Sequence, residues 1–352
     1  MAQGSPTNEG EHEKVYGASF AIYDDASLDD FIRFLATRFK ANGIDPVSEF
    51  AGKRCLDAGC GNGRGALFMA SHGATSVDCI DISPSNVTTT RRNLAARGLD
   101  PDRVIEGSLQ AMPYEDASLD FVWCNGVLMH TDNPDGCLNE LSRVLKPGGR
   151  CWLYVYGADG IAWYWVSRAR AVIREYGAER CLRVLKLLRL DVRYIAEYID
   201  DWTVPYLRTY SAEMFSARLR SAGFTDVQPL PRGVAYDTNH RRNLFPEDAD
   251  WMGEGDLRFL LTKTSKAAKP VERLPADPEN TGKPFHPAIV QKFATLFDEY
   301  EAVVTGSLLL SIVTSADIQR TLRDMLSREE PFSPDAFHAA VSATIDLARE
   351  LK

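Results

Sequence analysis

Residues 54–65, RCLDAGCGNGRG, set a short apolar run and Asp57 directly ahead of four alternate glycines, Gly59, Gly61, Gly63 and Gly65. Glycine is costly inside regular structure and is kept where backbone turns tightly or something approaches it closely. Four are more than a strand-to-helix turn requires. The loop therefore marks a place where a ligand passes close to the main chain.

The stretch around that loop alternates between two periodicities. RCLDAG reads as a strand, RGALFMASHG as a helix, TSVDCIDIS as a strand, and SPSNVTTTRRNLAARG as a helix ended by Gly98. DRVIEGS and LDFVWCNGV are strands, NPDGCLNELSRVLKPGG a helix closed by Pro147-Gly148-Gly149, and RCWLYVYG a fifth strand. Alternation at this pace predicts right-handed crossovers and a parallel sheet with helices on both faces. Upstream, DDASLDDFIRFLATRFKAN carries Leu28, Phe31, Ile32, Leu35 and Phe39 at helical spacing, with Ser27 as its expected cap. Downstream, SAEMFSARLRSAGF is a helix, and TDVQPL with DLRFLLTKT predicts an antiparallel pair at one edge.

In an open parallel sheet, ligands sit beyond the carboxyl ends of the strands where strand order reverses. The first strand ends at Asp57-Ala58, which puts the glycine loop in that crevice. Asp81 ends the second strand, and an ionised carboxylate there can accept both hydrogen bonds of a ribose diol. Two cofactors use such a site. Gly61 to Ala66 satisfies the dinucleotide fingerprint GxGxxA, which keeps an NAD-dependent oxidoreductase open. Asp57 suits a sulfonium with an amino-acid tail, because its carboxylate can face an ammonium beside a positive sulfur.

The later motifs bear on that choice. LDAGCGNG (56–63), IDIS (80–83), MPYEDASLDFVWCNGVLMH (112–130) and LKPGG (145–149) occur in order and at compatible spacing. In these the chain resembles the class I S-adenosylmethionine-dependent methyltransferases, in particular a small bacterial group, firmly over 50–157 and loosely to 264. The resemblance implies a doubly wound, mostly parallel, Rossmann-like seven-stranded sheet, with a helical lid insertion and a C-terminal helical extension. It implies S-adenosyl-L-methionine as cofactor, with Asp57 near the methionine amino group and Gly59, Gly61 and Gly63 as the floor. Asp81 would hold the ribose hydroxyls, Ile82 would pack on adenine, Ser108 and Leu109 would flank the adenine edge, and Asn125 with Gly126 would line the methionine side. Many relatives carry aspartate where this chain has Ser108, so the adenine contact passes to a serine or to the backbone at Leu109.

Methyl transfer needs alignment more than proton chemistry; a base is required only when the acceptor must lose its proton early. His130, at the carboxyl end of the fourth strand, is the candidate general base, and a loop-shaping histidine is the competing reading. Tyr156, Trp163, Trp165, Trp202, Tyr206 and Tyr210 are the candidate acceptor wall, against the alternative that they are lid core. Arg168, Arg170 and Arg174 recur on one side of the same segment as anion contacts or a solvated face. RCLRVLKLLRLDVRYI is amphipathic and reads as lid packing ahead of a membrane surface.

The expected organisation is a disordered tail at 1–14, an N-terminal helical segment at 15–50, the cofactor-binding domain at 51–157 and 211–265, and a lid at 158–210. A linker at 266–284 and a helical extension at 285–352 follow, the latter a candidate homodimer surface. A net charge of −9 argues against a general nucleic-acid partner. No apolar run approaches the ~20 residues of a membrane span, and the polar opening MAQGSPTNEGEHEKVYG lacks a secretory h-region. Seven cysteines without a CxxC pair read as buried apolar residues in a reducing cytoplasm, and scattered histidines predict no metal. The function expected is methyl transfer to a small molecule, in specialised metabolism by analogy. The alternatives are another displacement at the sulfonium, such as cyclisation of the cofactor's aminobutyrate chain, the oxidoreductase, or a non-catalytic binding protein.

Overall fold

The computed structural model describes residues 23–160, 199–234 and 253–264, with Phe20, Trp163, Val166, Arg170 and Asp237. These fall in two compact units, one within Met1–Tyr164 and Val204–Lys283, the other within Trp165–Thr203 and Pro284–Lys352. The expected tail, most of the expected lid, the linker and the C-terminal extension lie outside the described residues, as do Trp165, Arg168 and Arg174.

The first unit is built on a sheet of seven strands: β1 (Arg54–Ala58), β2 (Ser76–Asp81), β3 (Val104–Glu106), β4 (Leu119–Asn125), β5 (Leu145–Tyr156), β6 (Phe224–Pro229) and β7 (Asp256–Lys263). Their order is β3-β2-β1-β4-β5-β7-β6. The first five pair in parallel, and β7 runs antiparallel to both β5 and β6. The expected antiparallel pair therefore forms, but only β6 is an edge, since β7 lies between it and β5.

The helices of this unit are α1 (Asp25–Ala41), α2 (Pro46–Phe50), α3 (Arg64–Ser71), α4 (Pro84–Ala95), α5 (Pro134–Val144) and α6 (Ala212–Ser221). Their starts follow local chemistry. Ser83, Asn133 and Ser211 cap α4, α5 and α6 by accepting backbone N–H bonds, and Pro84 and Pro134 stand where a helix needs no N–H. The start of α1 differs from expectation: Asp24 is the cap and accepts from the N–H of Ser27 at 2.8 Å. A carboxylate one turn earlier makes the same bond and also complements the helix dipole.

LKPGG also departs from the reading. The helix α5 stops at Val144, and Leu145 already pairs with Leu119 as the start of β5. Pairing resumes at Phe121 with Arg150, so Lys146–Gly149 bulge out with Gly148 at φ +78°. Proline and glycine are tolerated in a strand at such a bulge.

Burial on both faces explains why the parallel strands read as apolar runs. On one face Cys55, Cys79, Phe121, Trp123, Trp152 and Leu260 pack with Phe39 of α1, Phe50 of α2 and Phe68 of α3. Trp123 and Trp152 stack at 4.8 Å with Phe39 5.0 Å from Trp152. On the other, Leu56, Val122, Leu153 and Phe259 meet Leu138 and Leu141 of α5 and Phe215 of α6.

A buried ion network ties α1 to this sheet. Arg38 Nε donates to both carboxylate oxygens of Asp237 at 2.8 and 3.1 Å, and Arg258 of β7 reaches the same carboxylate at 3.1 Å. Arg258 also donates to Asp256, which accepts from the Tyr154 hydroxyl. Burial pushes the Asp237 carboxyl upward, but Arg258 and Arg38 overcome it and hold it at about 2.

Candidate functional site

The strand order reverses between β1 and β4, and the glycine loop leaves β1 at that switch point. Gly59 N donates to Ile80 O at 2.8 Å, anchoring the loop to β2. Gly61 and Gly63 hold φ of +57° and +83°, a region that disfavours side chains. Gly63 is also the residue before α3, so that helix begins without a side-chain cap. A Cβ on Gly61 would lie 2.9 Å from the ring of Phe20. The missing side chain there admits an aromatic ring of the chain itself, a contact the sequence did not announce.

Asp57 is 2% exposed, and its Oδ2 accepts from Ala66 N of α3 at 2.8 Å. Burial raises its carboxyl to about 7, opposed by the bond from Ala66 and the charge of Arg64. A carboxylate this dry is a ready partner for a cation.

Asp81 lies at the tip of β2, 7% exposed. Its Oδ2 accepts from Gly61 N at 2.8 Å, and its Oδ1 from Ser83 N at 2.9 Å and Asn86 Nδ2 at 3.2 Å. Burial raises its pKa against these bonds. Of about four lone-pair positions on a carboxylate, three are engaged, which leaves one for a ribose diol expected to take two. Beside it Ile82 is 40% exposed, open to a flat partner. Ser108 Oγ accepts from Gln110 N at 3.2 Å, and the Leu109 side chain is buried in the core.

At the tip of β4, Asn125 Oδ1 accepts from Trp152 Nε1 at 2.9 Å, and Gly126 N donates to Tyr154 O at 3.1 Å. The following turn, Leu128–His130, buries His130, whose Nδ1 lies 3.0 Å from Tyr206 O. A carbonyl only accepts, so Nδ1 is the donor in this bond. Tyr156 sits between His130 at 5.5 Å and Trp163 at 4.9 Å, ring centre to ring centre. Residues 204–210, expected within a helical lid, instead run back past this turn. Arg208 N bonds Met129 O, Tyr210 N bonds Tyr156 O, and Gly157 and Tyr210 form a parallel bridge.

The candidate acceptor wall thus divides. Tyr156 packs against His130 and carries Trp163 on its other side, and Tyr206 meets His130 through its backbone carbonyl. Tyr210 is 1% exposed and packs on Phe215 at 4.7 Å as part of the core. Trp202 is buried and belongs to the second unit. In that unit Arg170 is buried and donates to Asp201 O at 2.7 Å, so it is not on a solvated face.

Two further residues of the loop escaped the sequence reading. Arg64 opens α3 with its guanidinium 4.6 Å from the Phe31 ring and 5.5 Å from Phe20. Asn62 is 1% exposed, and neither its Oδ1 nor its Nδ2 has a hydrogen-bond partner. No sequence signal separates these two from ordinary loop residues; their roles depend on how α1 packs against α3. The site residues fit a sulfonium nucleoside with an amino-acid tail: a dry carboxylate for a cation, an acceptor at the tip of β2, and an unsatisfied buried amide between them.

Comparison with known proteins covers the same stretch of chain. Residues 56–153 match the family model described as a methyltransferase domain. The chain is 38% identical over 150 residues to a sarcosine/dimethylglycine N-methyltransferase of Aphanothece halophytica, covering 41% of this chain and 53% of that protein. It is 35% identical over 133 residues to methyltransferase GfsG of Streptomyces halstedii, covering 37% and 48%. With 27-O-demethylrifamycin SV methyltransferase of Amycolatopsis mediterranei it shares 40% over 102 residues, covering 28% and 37%. The chain therefore spans about half the length of these relatives or less. Over residues 56–153, which carry β1 to β5 and the carboxylates at the tips of β1 and β2, the chain is therefore similar to methyltransferase domains.

Proposed function

We propose that this chain transfers a methyl group to a small-molecule acceptor in specialised metabolism. The observation that carries the reading is the pair Asp57 and Asp81, set at adjacent strand tips on either side of the glycine loop. The relatives named for sarcosine/dimethylglycine and for demethylrifamycin support a small acceptor.

S-adenosylmethionine supplies an already activated methyl electrophile. Asp57 would face its ammonium, Asp81 a ribose hydroxyl, Ile82 the adenine, and Asn125 with Gly126 the methionine side. The chain's own work is then alignment and exclusion of water, which supplies about 7–11 kcal/mol when two reactants are well held. His130 serves as general base through Nε2, its tautomer set by Tyr206 O. Tyr156 beside it, with Trp163 packed on Tyr156, and Tyr206 form the acceptor side. The remaining parts of the organisation, a lid upstream of residue 204 and a helical extension at 285–352, belong to the same proposal.

The test is incubation of the full chain with methyl-labelled cofactor and cell extract. Label in one small molecule, with S-adenosylhomocysteine released in equal amount, supports the reading. Methylthioadenosine as the sole product would replace it with cyclisation of the aminobutyrate chain, and binding without turnover would replace it with a non-catalytic role.

A further inference from the structure

We propose that Arg208 is a positioning residue that fixes which ring nitrogen of His130 carries the proton. The inference deepens the reading of His130 as a general base and rests on it. A neutral imidazole has one donor and one acceptor nitrogen, and only the acceptor can take a proton from a substrate. Which nitrogen that is depends on the partner of the other one. The partner here is the Tyr206 carbonyl, 3.0 Å from His130 Nδ1. A backbone carbonyl selects a tautomer only if its own segment is held still.

The segment bearing that carbonyl is irregular from Val204 to Thr209. Val204 and Tyr210, both buried, anchor its ends, and Tyr210 N donates to Tyr156 O at 2.9 Å. Between these anchors Arg208 grips the His130 turn three times. Its backbone N–H donates to Met129 O at 3.1 Å, one guanidinium nitrogen to Thr131 O and the other to Asp132 O at 3.4 Å. The acceptors are thus the carbonyls of the residues on both sides of His130. The guanidinium also lies over the Tyr206 ring at 5.1 Å. The residue that partners the imidazole and the residue that grips the turn are therefore packed on each other.

The fork is specific to arginine. A planar guanidinium presents two N–H groups in fixed geometry and can hold two neighbouring carbonyls at once, whereas an ammonium is a point donor. The bond to Met129 O comes from the backbone and survives a change of side chain, so the fork is what a substitution removes. The turn has a second tie, since Gln110 Nε2 donates to Asp132 Oδ1. That bond ends on a side chain two positions beyond His130 and involves neither Thr131 O nor Tyr206. It steadies the turn without setting the ring's partner.

A staple with no bearing on His130 would change stability and leave the ring's protonation pattern as it was. Nitrogen NMR of the full chain, labelled with 15N in its histidine rings, separates the two at about pH 9, above the ordinary imidazole range. The His130 signals are those missing from His130→Ala. In wild type the protonated nitrogen should be Nδ1. In Arg208→Met, which keeps an apolar stem and loses the fork, the proton should divide between Nδ1 and Nε2, and Arg208→Lys should fall between the two. Gln110→Ala should match wild type. Thermal unfolding identifies the folded variants, and if Arg208→Met does not fold, Arg208→Lys carries the comparison. A wild-type proton on Nε2, a wild-type pattern in the Arg208 variants, or a shift in Gln110→Ala as large as in Arg208→Met overturns the assignment. The readout involves no acceptor. A tautomer that shifts as expected, with turnover unchanged in His130→Ala, would retire the general-base reading and keep the role of Arg208.

Discussion

If Asp57 pairs with the cofactor's ammonium as proposed, its dry carboxylate should make cofactor affinity depend on pH near neutrality. Burial raises its carboxyl to about 7 in the folded chain. Only the ionised form pairs with an ammonium, and that pairing lowers the carboxyl by about 1–3 units in the complex. With a pKa of about 7 the group is about 10% ionised at pH 6 and about 90% at pH 8. The apparent affinity for S-adenosylhomocysteine should therefore rise about tenfold between those values, with proton release on binding below pH 7. Calorimetry in two buffers of different ionisation enthalpy measures both quantities. Asp57→Asn keeps an oxygen acceptor for Ala66 N and should bind weakly with a flat profile. A wild-type affinity constant from pH 6 to 8, or the same slope in Asp57→Asn, would refute the argument. The same shift has a stability sign. Between about pH 4 and 7 the folded chain retains a proton the unfolded chain has lost. Stability therefore falls as pH rises through that window, by about 4 kcal/mol for a shift of this size.

Three further outcomes follow from the hydrogen bonds described. Asp81→Ala leaves the N–H groups of Gly61 and Ser83 and the Asn86 amide without their acceptor. Urea denaturation should show a loss of about 2–4 kcal/mol, alongside weaker cofactor binding. His130→Ala should lower turnover about 100-fold or more for an acceptor that must lose a proton, with S-adenosylhomocysteine affinity within twofold of wild type by calorimetry. Asp237→Asn leaves Arg38 and Arg258 buried without their counter-charge and should cost about 3–5 kcal/mol in the same denaturation assay. Because the Asp237 carboxyl is held down at about 2, the stability it contributes is present above about pH 4 and is lost as pH falls towards 2.

The sheet was legible because strands buried on both faces write themselves as apolar runs, as in LDFVW, and because the helices α4 and α5 begin with a recognisable cap. The tips of β1 and β2 followed at once, since Asp57 and Asp81 end those runs. LKPGG misleads for a physical reason: Pro147-Gly148-Gly149 carries the same stop signal whether it ends a helix or bulges from a strand, and only the pairing of Leu145 with Leu119 decides. Tyr210 reads as an acceptor wall because an aromatic looks alike at a surface and in a core; its contact with Phe215 settles the matter. Arg38 and Asp237 lie 199 positions apart, so no local pattern joins them. The same holds for Phe20 against Gly61 and for Arg64 between two aromatic rings.

The contrast between Asp81 and its neighbours orders what the glycine loop does. Asp81 already has three donors, so its carboxylate is fixed in place before any ligand arrives and its first duty is to hold Gly61 against the head of α4. Asp57 has one donor. Groups left unsatisfied in a dry place destabilise the empty fold and are the ones a ligand can improve. Affinity should therefore respond more to Asp57, while stability responds more to Asp81. That ranking inverts the expectation that the carboxylate at the tip of β2 dominates binding, and it follows from the count of donors around each group rather than from position in a motif.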